Sequence, residues 1–277
     1  MNKNRLAQPF LKWAGGKRQI LPEIRKYIPN KFSSYYEPFI GAGALVFDLQ
    51  PKKAIVNDIN SELINVYKVI KSNVNGLIKA LKRHKNDADY YYEIRELDRS
   101  KNFEELSDVE KAARIIYLNK TCYNGLFRVN SQGQFNVPFG RYNNPEIVNE
   151  IVLKAVSNFL NASDIKFINT DFEESVQDAK KDSFIYFDPP YYPLSDTSAF
   201  TGYTLDGFDK EEQERLKLPC DKLDKKGCKF LLSNSAAPFI LDLYKNYNIE
   251  TVQVNRNINS IGSKRGKIAE LLVRNYD

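Results

Sequence analysis

Apolar, strand-like segments that alternate with helical stretches limit this chain's fold more than any other feature. After residue 164 come IKFINTD, SFIYFD, CKFLLSN, IETVQVN and IAELLVRNY, with helical segments between most of them. Near the start, SSYYEPFIGAGALVFDL reads as a short strand, a glycine turn and a helix, and KKAIVNDIN as a second strand. Strands alternating with helices imply an α/β fold with a mainly parallel sheet covered on both faces. The last two segments have only a basic loop between them, so they are expected to run antiparallel to each other.

The middle of the chain has another rhythm. Residues 60 to 121 read as consecutive helices, and Ser107 followed three residues later by Glu110 marks a capping-box start for the last of them. GLFRVNSQGQFNVPFGR then alternates with period two around Ser-Gln-Gly-Gln, a hairpin signal. The expected organisation is a sheet domain of residues 1–59 and 146–277. Into it is inserted a helical module, residues 60–145, that carries a hairpin at about 123–141.

Composition narrows the function classes. No apolar run approaches the roughly 18 residues of a membrane span, and the first ten residues contain no apolar core of signal-peptide length. The expected location is the cytoplasm, with no membrane partner. Cys122, Cys220 and Cys228 form no CxxC pair and read as reduced, structural residues. The single histidine, His84, reads as a solvated residue at a charged helix end. That scarcity argues against a histidine-dependent triad and against a histidine-rich zinc site, and no metal is expected. The net charge of +6 is concentrated. Residues 1 to 30 hold Lys3, Arg5, Lys12, Lys17, Arg18, Arg25 and Lys26 against one acid, Glu23, and Lys264, Arg265 and Lys267 cluster near the C-terminus. Such patches suit an anionic partner.

Two loops carry candidate chemistry. Gly41 and Gly43 lie between a strand ending at Phe39 and a helix, where glycines let a backbone turn tightly and approach a ligand. A turn packed with small residues would give the same pattern, and Val46 stands where the dinucleotide fingerprint has its third glycine. Asp58, after the second strand, can accept hydrogen bonds from ribose hydroxyls. Together these favour a nucleoside-bearing cofactor, either nicotinamide or S-adenosylmethionine.

Asp188-Pro189-Pro190-Tyr191 separates the two. An amine on an aromatic ring is a poor nucleophile because its lone pair is delocalised. Two acceptors aimed at its N–H bonds, the Asp188 carboxylate and the Pro189 carbonyl, favour a tetrahedral nitrogen and free that pair. The prolines stiffen the loop so the acceptors are held ready, and Tyr191 offers a face on which a base can stack, worth roughly 1–3 kcal/mol.

In FLKWAGGKR, YYEPFIGAGALVF, VNDIN, TCYNGLFRVN, QFNVPFGRY, FDPPYYPLS and LLSNS, in that order over nearly the whole chain, the sequence resembles the Dam-type DNA adenine-N6 methyltransferases. Within them it is most similar to the GATC-modifying methylases of DpnII-like restriction–modification systems. The resemblance implies a class I S-adenosylmethionine-dependent methyltransferase fold, Rossmann-like with a mixed sheet, acting on double-stranded DNA with no obligate protein partner. It implies cofactor contacts at Trp13, Lys17, Phe39, Gly41, Gly43, Asp58, Asp171 and Asp188. It implies catalysis at Asp188, Pro189, Pro190 and Tyr191, and DNA contacts at Lys12, Tyr123, Asn124, Leu126, Arg128, Pro138, Arg141, Lys264 and Arg265.

Physical chemistry agrees with several of these roles. Arg128 can pair bidentately with guanine O6 and N7, and Leu126 and Pro138 suit a thymine methyl. Tyr123 and Asn124 suit the gap left by an extruded base, while Phe127, Phe135 and Phe139 are expected to pack inward. A strand order of the 3-2-1-4-5 kind would make strand one, ending at Phe39, the neighbour of strand four, ending at Asp188. The rival readings are a cytosine-N4 or RNA methyltransferase on the same scaffold, a nicotinamide-dependent oxidoreductase, and a catalytically silent DNA-binding module.

Overall fold

The computed structural model describes residues 3–13, 15–194, 208–255 and 267–277. In chain order the elements are α1 (Leu21–Lys26), β1 (Tyr35–Glu37), α2 (Ala44–Leu49), β2 (Lys53–Asn57), α3 (Ser61–Leu81), α4 (Ala88–Glu96), α5 (Asp108–Thr121), α6 (Glu150–Ala162), β3 (Asp164–Ile168), α7 (Phe172–Ser175), β4 (Phe184–Phe187), α8 (Lys210–Lys225), β5 (Lys229–Ser235), α9 (Pro238–Leu243), β6 (Asn248–Asn255) and β7 (Lys267–Arg274). The strands form a mixed seven-stranded sheet in the order β3-β2-β1-β4-β5-β7-β6. β1 runs parallel to β2 and β4, and β4 parallel to β5. β7 runs antiparallel to β6, as the missing helix between the last two strands predicts, and antiparallel to β5 as well. Among the described residues no helix is long and apolar enough to cross a membrane.

The chain divides into two compact units, Met1–Gly16, Gly41–Lys52 and Asn60–Asn169 in one, Lys17–Ile40, Lys53–Ile59 and Thr170–Asp277 in the other.

In the first unit, α3 packs on α5 and α6. Its N-terminus is fixed by Asn60, whose side chain accepts from the Leu63 amide at 3.0 Å, and it buries Leu63, Ile64, Val66, Tyr67, Val69 and Ile70 at helical spacing. α3 bends at Asn73, whose backbone leaves the helical region (φ −148°, ψ 55°). The predicted capping box is present: Ser107 and Glu110 satisfy each other's amides at the start of α5. Arg114 on α5 is 1% exposed. A charge so buried must be matched: Asp98 lies 2.7 Å away and Glu62 3.3 Å, and the guanidinium donates to the Ile94 and Arg95 carbonyls.

Two expectations for this unit are corrected. The hairpin forms no regular strand. Its arms are joined by the isolated bridges Cys122–Phe139 and Val129–Phe135 and by separate hydrogen bonds such as Tyr123 N–H to the Pro138 carbonyl, because the 3₁₀ turn at Tyr123–Gly125 and the prolyl residue Pro138 interrupt a ladder. His84 is half-buried rather than solvated, stacked on Tyr117 at 4.5 Å with Nδ1 2.9 Å from the Tyr90 hydroxyl; burial lowers its pKa to about 4. Phe135 is buried and Phe127 and Phe139 pack against its cluster, as expected.

In the second unit, β4 is buried along its whole length, Phe184, Ile185, Tyr186 and Phe187 each at 1% exposure or less. A central parallel strand is covered on both faces, which is why its sequence is a continuous apolar run. Each of these side chains contributes roughly 1.5–3 kcal/mol by burial. Cys220 and Cys228 are buried free thiols here, and Cys122 is one in the first unit.

Candidate active site

β4 ends where its apolar run ends, and Asp188 is the first residue past it. The ammonium of Lys17 stands 2.7 Å from Asp188 Oδ1, with side-chain exposures of 7% and 18%. The enclosed Oδ1 thus has the ammonium as its near partner. Burial raises the Asp188 pKa from 3.8 to about 6. The Lys17 charge opposes this rise, and the Glu270 carboxylate adds to it. A carboxylate so desolvated, with more lone pairs than one ammonium can fill, can accept an incoming N–H.

Tyr191 belongs to the same cluster. The Lys17 Nζ lies 4.5 Å from its ring centroid, so the ammonium occupies one ring face. The Tyr191 hydroxyl donates to Glu270 Oε2 at 2.9 Å. Burial first, then the charges of Asp188 and Glu270, push its ionisation well above the ordinary range and keep the phenol a donor. Pro189 is buried and Pro190 half-buried. The structure thus brings Lys17, Asp188 and Tyr191 together, and adds Glu270 of β7.

Elsewhere in this unit, Asn57 at the end of β2 donates to the Pro38 and Thr170 carbonyls, both at 3.0 Å, and accepts from the Thr170 amide. It joins three loops at the carboxyl ends of the strands. Asp58 follows, half-buried. Phe39 packs against Phe172 and Phe208 at 5.5 and 5.7 Å. Asp171 caps α7 through the Glu173 amide and takes both arms of Arg215, at 2.9 and 2.7 Å. That pairing holds its carboxyl below the ordinary range. Arg215 itself lies over the Phe172 ring at 4.1 Å.

The other candidates fall in the first unit. Gly41 and Gly43 have φ of 46° and 70°, a region that favours glycine. A Cβ on Gly41 would lie 2.9 Å from the Trp13 ring, and one on Gly43 would lie 2.9 Å from both Phe47 and the Tyr67 hydroxyl. The glycines therefore also serve packing, and Tyr67 donates to the Gly41 carbonyl at 2.9 Å. Trp13 stacks on Phe127 at 5.2 Å. Lys12 is exposed, 4.9 Å from the Tyr142 ring, and its backbone is held by Asn119.

On the hairpin, Tyr123 is 54% exposed. Asn124 sits beside it in the left-handed region (φ 56°), its amide donating to the Tyr142 hydroxyl. Arg128, Pro138 and Arg141 are exposed, and Leu126 is half-buried. Arg128 donates from Nε to Asn136 Oδ1 at 2.7 Å and from Nη2 to the Asn136 carbonyl at 3.2 Å. Lys264 and Arg265 lie outside the described residues. No group of His, Cys, Asp and Glu among the described residues could hold a metal ion.

Glu270, Arg215, Gln213, Asn234 and Asn136 carry no functional expectation from the sequence, although Asn234 lies in LLSNS, Asn136 in QFNVPFGRY and Glu270 in the strand segment IAELLVRNY.

Residues 13–258 match the model of the D12 class N6 adenine-specific DNA methyltransferases. The chain is 48% identical over 279 residues to the type II methyltransferase M1.LlaDCHI of Lactococcus lactis subsp. cremoris, covering 100% of this chain and 98% of that protein. It is 44% identical to the type II methyltransferase M.MjaIII of Methanocaldococcus jannaschii, over 97% of this chain and 99% of the other. It is 37% identical to a DNA adenine methylase of Haemophilus influenzae, over 96% and 92%.

Proposed function

Because the chain belongs to the D12 class of N6 adenine-specific DNA methyltransferases, we propose that it methylates adenine N6 within GATC in duplex DNA, using S-adenosylmethionine. The observation that carries the reading is the Asp188 carboxylate, enclosed at the end of β4, ion-paired to Lys17 and raised in pKa by burial. It is the acceptor an aromatic amine needs.

The cofactor supplies an activated methyl group when bound. The resemblance assigns its binding to Trp13, Lys17, Phe39, Gly41, Gly43, Asp58 and Asp171, and the donor and acceptor types fit: an acid for ribose, aromatic rings for adenine, glycines for close approach. Asp188 and the Pro189 carbonyl accept the two N–H bonds of the target amine and raise its nucleophilicity. The new C–N bond would form as the methyl–sulfur bond breaks, leaving a neutral thioether, and the surplus N6 proton would then pass to Asp188 or to solvent. Rate enhancement then comes from positioning and from acceptors held in place before reaction.

An amine inside a duplex cannot reach Asp188, so the target base is extruded at a cost of a few kcal/mol. Residues 60–145 act as the target-recognition domain, and 1–59 with 146–277 as the catalytic one. Tyr123 and Asn124 fill the gap left by the base. Arg128 reads guanine, and Leu126 and Pro138 meet a thymine methyl. Lys12, Arg141, Lys264 and Arg265 add contacts to DNA. Acting on DNA, the enzyme works in the cytoplasm.

The test is to map methylated adenines in the DNA of a host that expresses the protein, beside a host expressing Asp188→Ala. Methylation at GATC that disappears with Asp188→Ala is expected. Modified cytosine, modification at another sequence, or retained methylation in the variant would overturn the reading.

A further inference from the structure

The Asp188–Tyr191 loop lacks any regular ladder to hold it, and its two prolines supply no N–H. What fixes it comes from elsewhere in the second unit. Asn234, on β5 and 0% exposed, accepts from two backbone amides through Oδ1, from Tyr192 at 3.1 Å and from Ser235 at 2.8 Å. Facing two N–H groups, that atom can only be the oxygen, so Asn234 Nδ2 must donate. It donates to Gln213 Oε1 at 2.9 Å. Gln213, on α8 and also 0% exposed, is thereby fixed in turn, and its Nε2 donates to the Pro190 carbonyl at 2.9 Å. The Ser235 hydroxyl closes the set by donating to the Tyr192 carbonyl at 2.6 Å.

The polarity of this relay has one solution. It grips the backbone immediately before and after Tyr191, while Glu270 holds the Tyr191 hydroxyl. A buried network this fully satisfied rigidifies the segment it binds. Acceptors displaced by a fraction of an ångström lose rate steeply. We propose that Gln213 and Asn234, with Ser235, are positioning residues of the methyl transfer, acting through the Pro190–Tyr192 backbone to aim the Asp188 and Pro189 acceptors. The proposal rests on the reading that the amine is methylated at this loop.

Single-turnover methylation of a GATC duplex would be measured for the wild type, Gln213→Met, Ser235→Ala and Asp188→Ala, with DNA affinity and the pH–rate profile of each. Gln213→Met keeps volume and removes both hydrogen bonds. Its rate is expected to fall about 10- to 100-fold with DNA affinity within about twofold. Its acidic limb should move to lower pH, because a loosened loop admits water to the Asp188 carboxylate. Ser235→Ala, which deletes one bond, should show a smaller loss in the same direction and decides the matter if Gln213→Met does not fold. A wild-type rate in the folded variants, or a rate loss with an unmoved limb, overturns the positioning role. An active Asp188→Ala would instead show that the loop is not where methylation occurs, and the proposal would fall with that reading.

Discussion

Asp188→Asn should make the protein more stable while lowering its methylation rate, since the carboxamide keeps an acceptor oxygen but loses the charge. The carboxylate is 18% exposed, and its pKa is raised from 3.8 to about 6. At 1.36 kcal/mol per pKa unit, that displacement means the fold disfavours the charged form by about 3 kcal/mol. The figure already includes the attraction to Lys17, since protonation cancels it as substitution does. The sign follows from linkage. A carboxyl whose pKa is raised on folding destabilises the native state at high pH, and the penalty fades as pH falls from about 6 toward 3.8. At pH 8 the asparagine variant should therefore be more stable by about 3 kcal/mol, and at pH 5 by about half that. For a chain of this size the first difference corresponds to about 5 °C in Tm. Urea unfolding of both proteins at pH 8 and pH 5 measures it. Equal stabilities at pH 8, or a gap that widens on acidification, would refute the claim that desolvation dominates at Asp188.

The same carboxylate sets a pH dependence of activity: kcat/KM should fall below about pH 6 as Asp188 takes up a proton, and Lys17→Met, which removes the opposing charge, should move that limb to higher pH in single-turnover assays at saturating cofactor. Arg114→Met should destabilise by about 1–3 kcal/mol in urea titration, because it strips two backbone carbonyls of their donor and removes one of the two cations of Asp98, leaving Arg99 at 2.8 Å; no measurable loss would mean that Arg99 and solvent compensate fully. Arg128→Ala should lose discrimination at one base pair worth roughly 1–3 kcal/mol, read as the ratio of kcat/KM on GATC and on one-base variants; an unchanged ratio would remove Arg128 from base recognition.

The sheet was legible because period and punctuation agreed. β4 is an unbroken apolar run stopped by Asp188-Pro189, and it is buried throughout; β6 and β7 lack an intervening helix and are antiparallel. α5 announced its start with Ser107 and Glu110. The failures lie where tertiary packing overrides local composition. His84 sits among lysines and an arginine, yet Tyr117 and Tyr90 enclose its ring. Nothing in the spacing of LKRHKNDAD registers aromatic rings that arrive from α4 and α5. The hairpin alternates as a strand pair should, but Tyr123 spends its amide on the Pro138 carbonyl and Asn124 turns left-handed, so alternation survives without a ladder.

The site divides along the same line. Asp188 to Tyr191 are contiguous, so a reader of the chain meets them together. Their anchors are not: the hydrogen bonds that hold the loop span 23 residues to Gln213, 42 to Asn234 and 79 to Glu270. A glutamine in a charged helix has no period of its own. One signal was nonetheless present. β5 continues its apolar run into Ser233, Asn234 and Ser235, all buried at 5% or less, and polar groups cannot be carried into a sheet interior without partners. Three such residues at the carboxyl end of a central strand demand a buried network. In an α/β sheet that is the end beside the ligand loops. The sequence LLSNS therefore carried a physical requirement, a set of backbone groups to be satisfied, before the identity of those groups could be known.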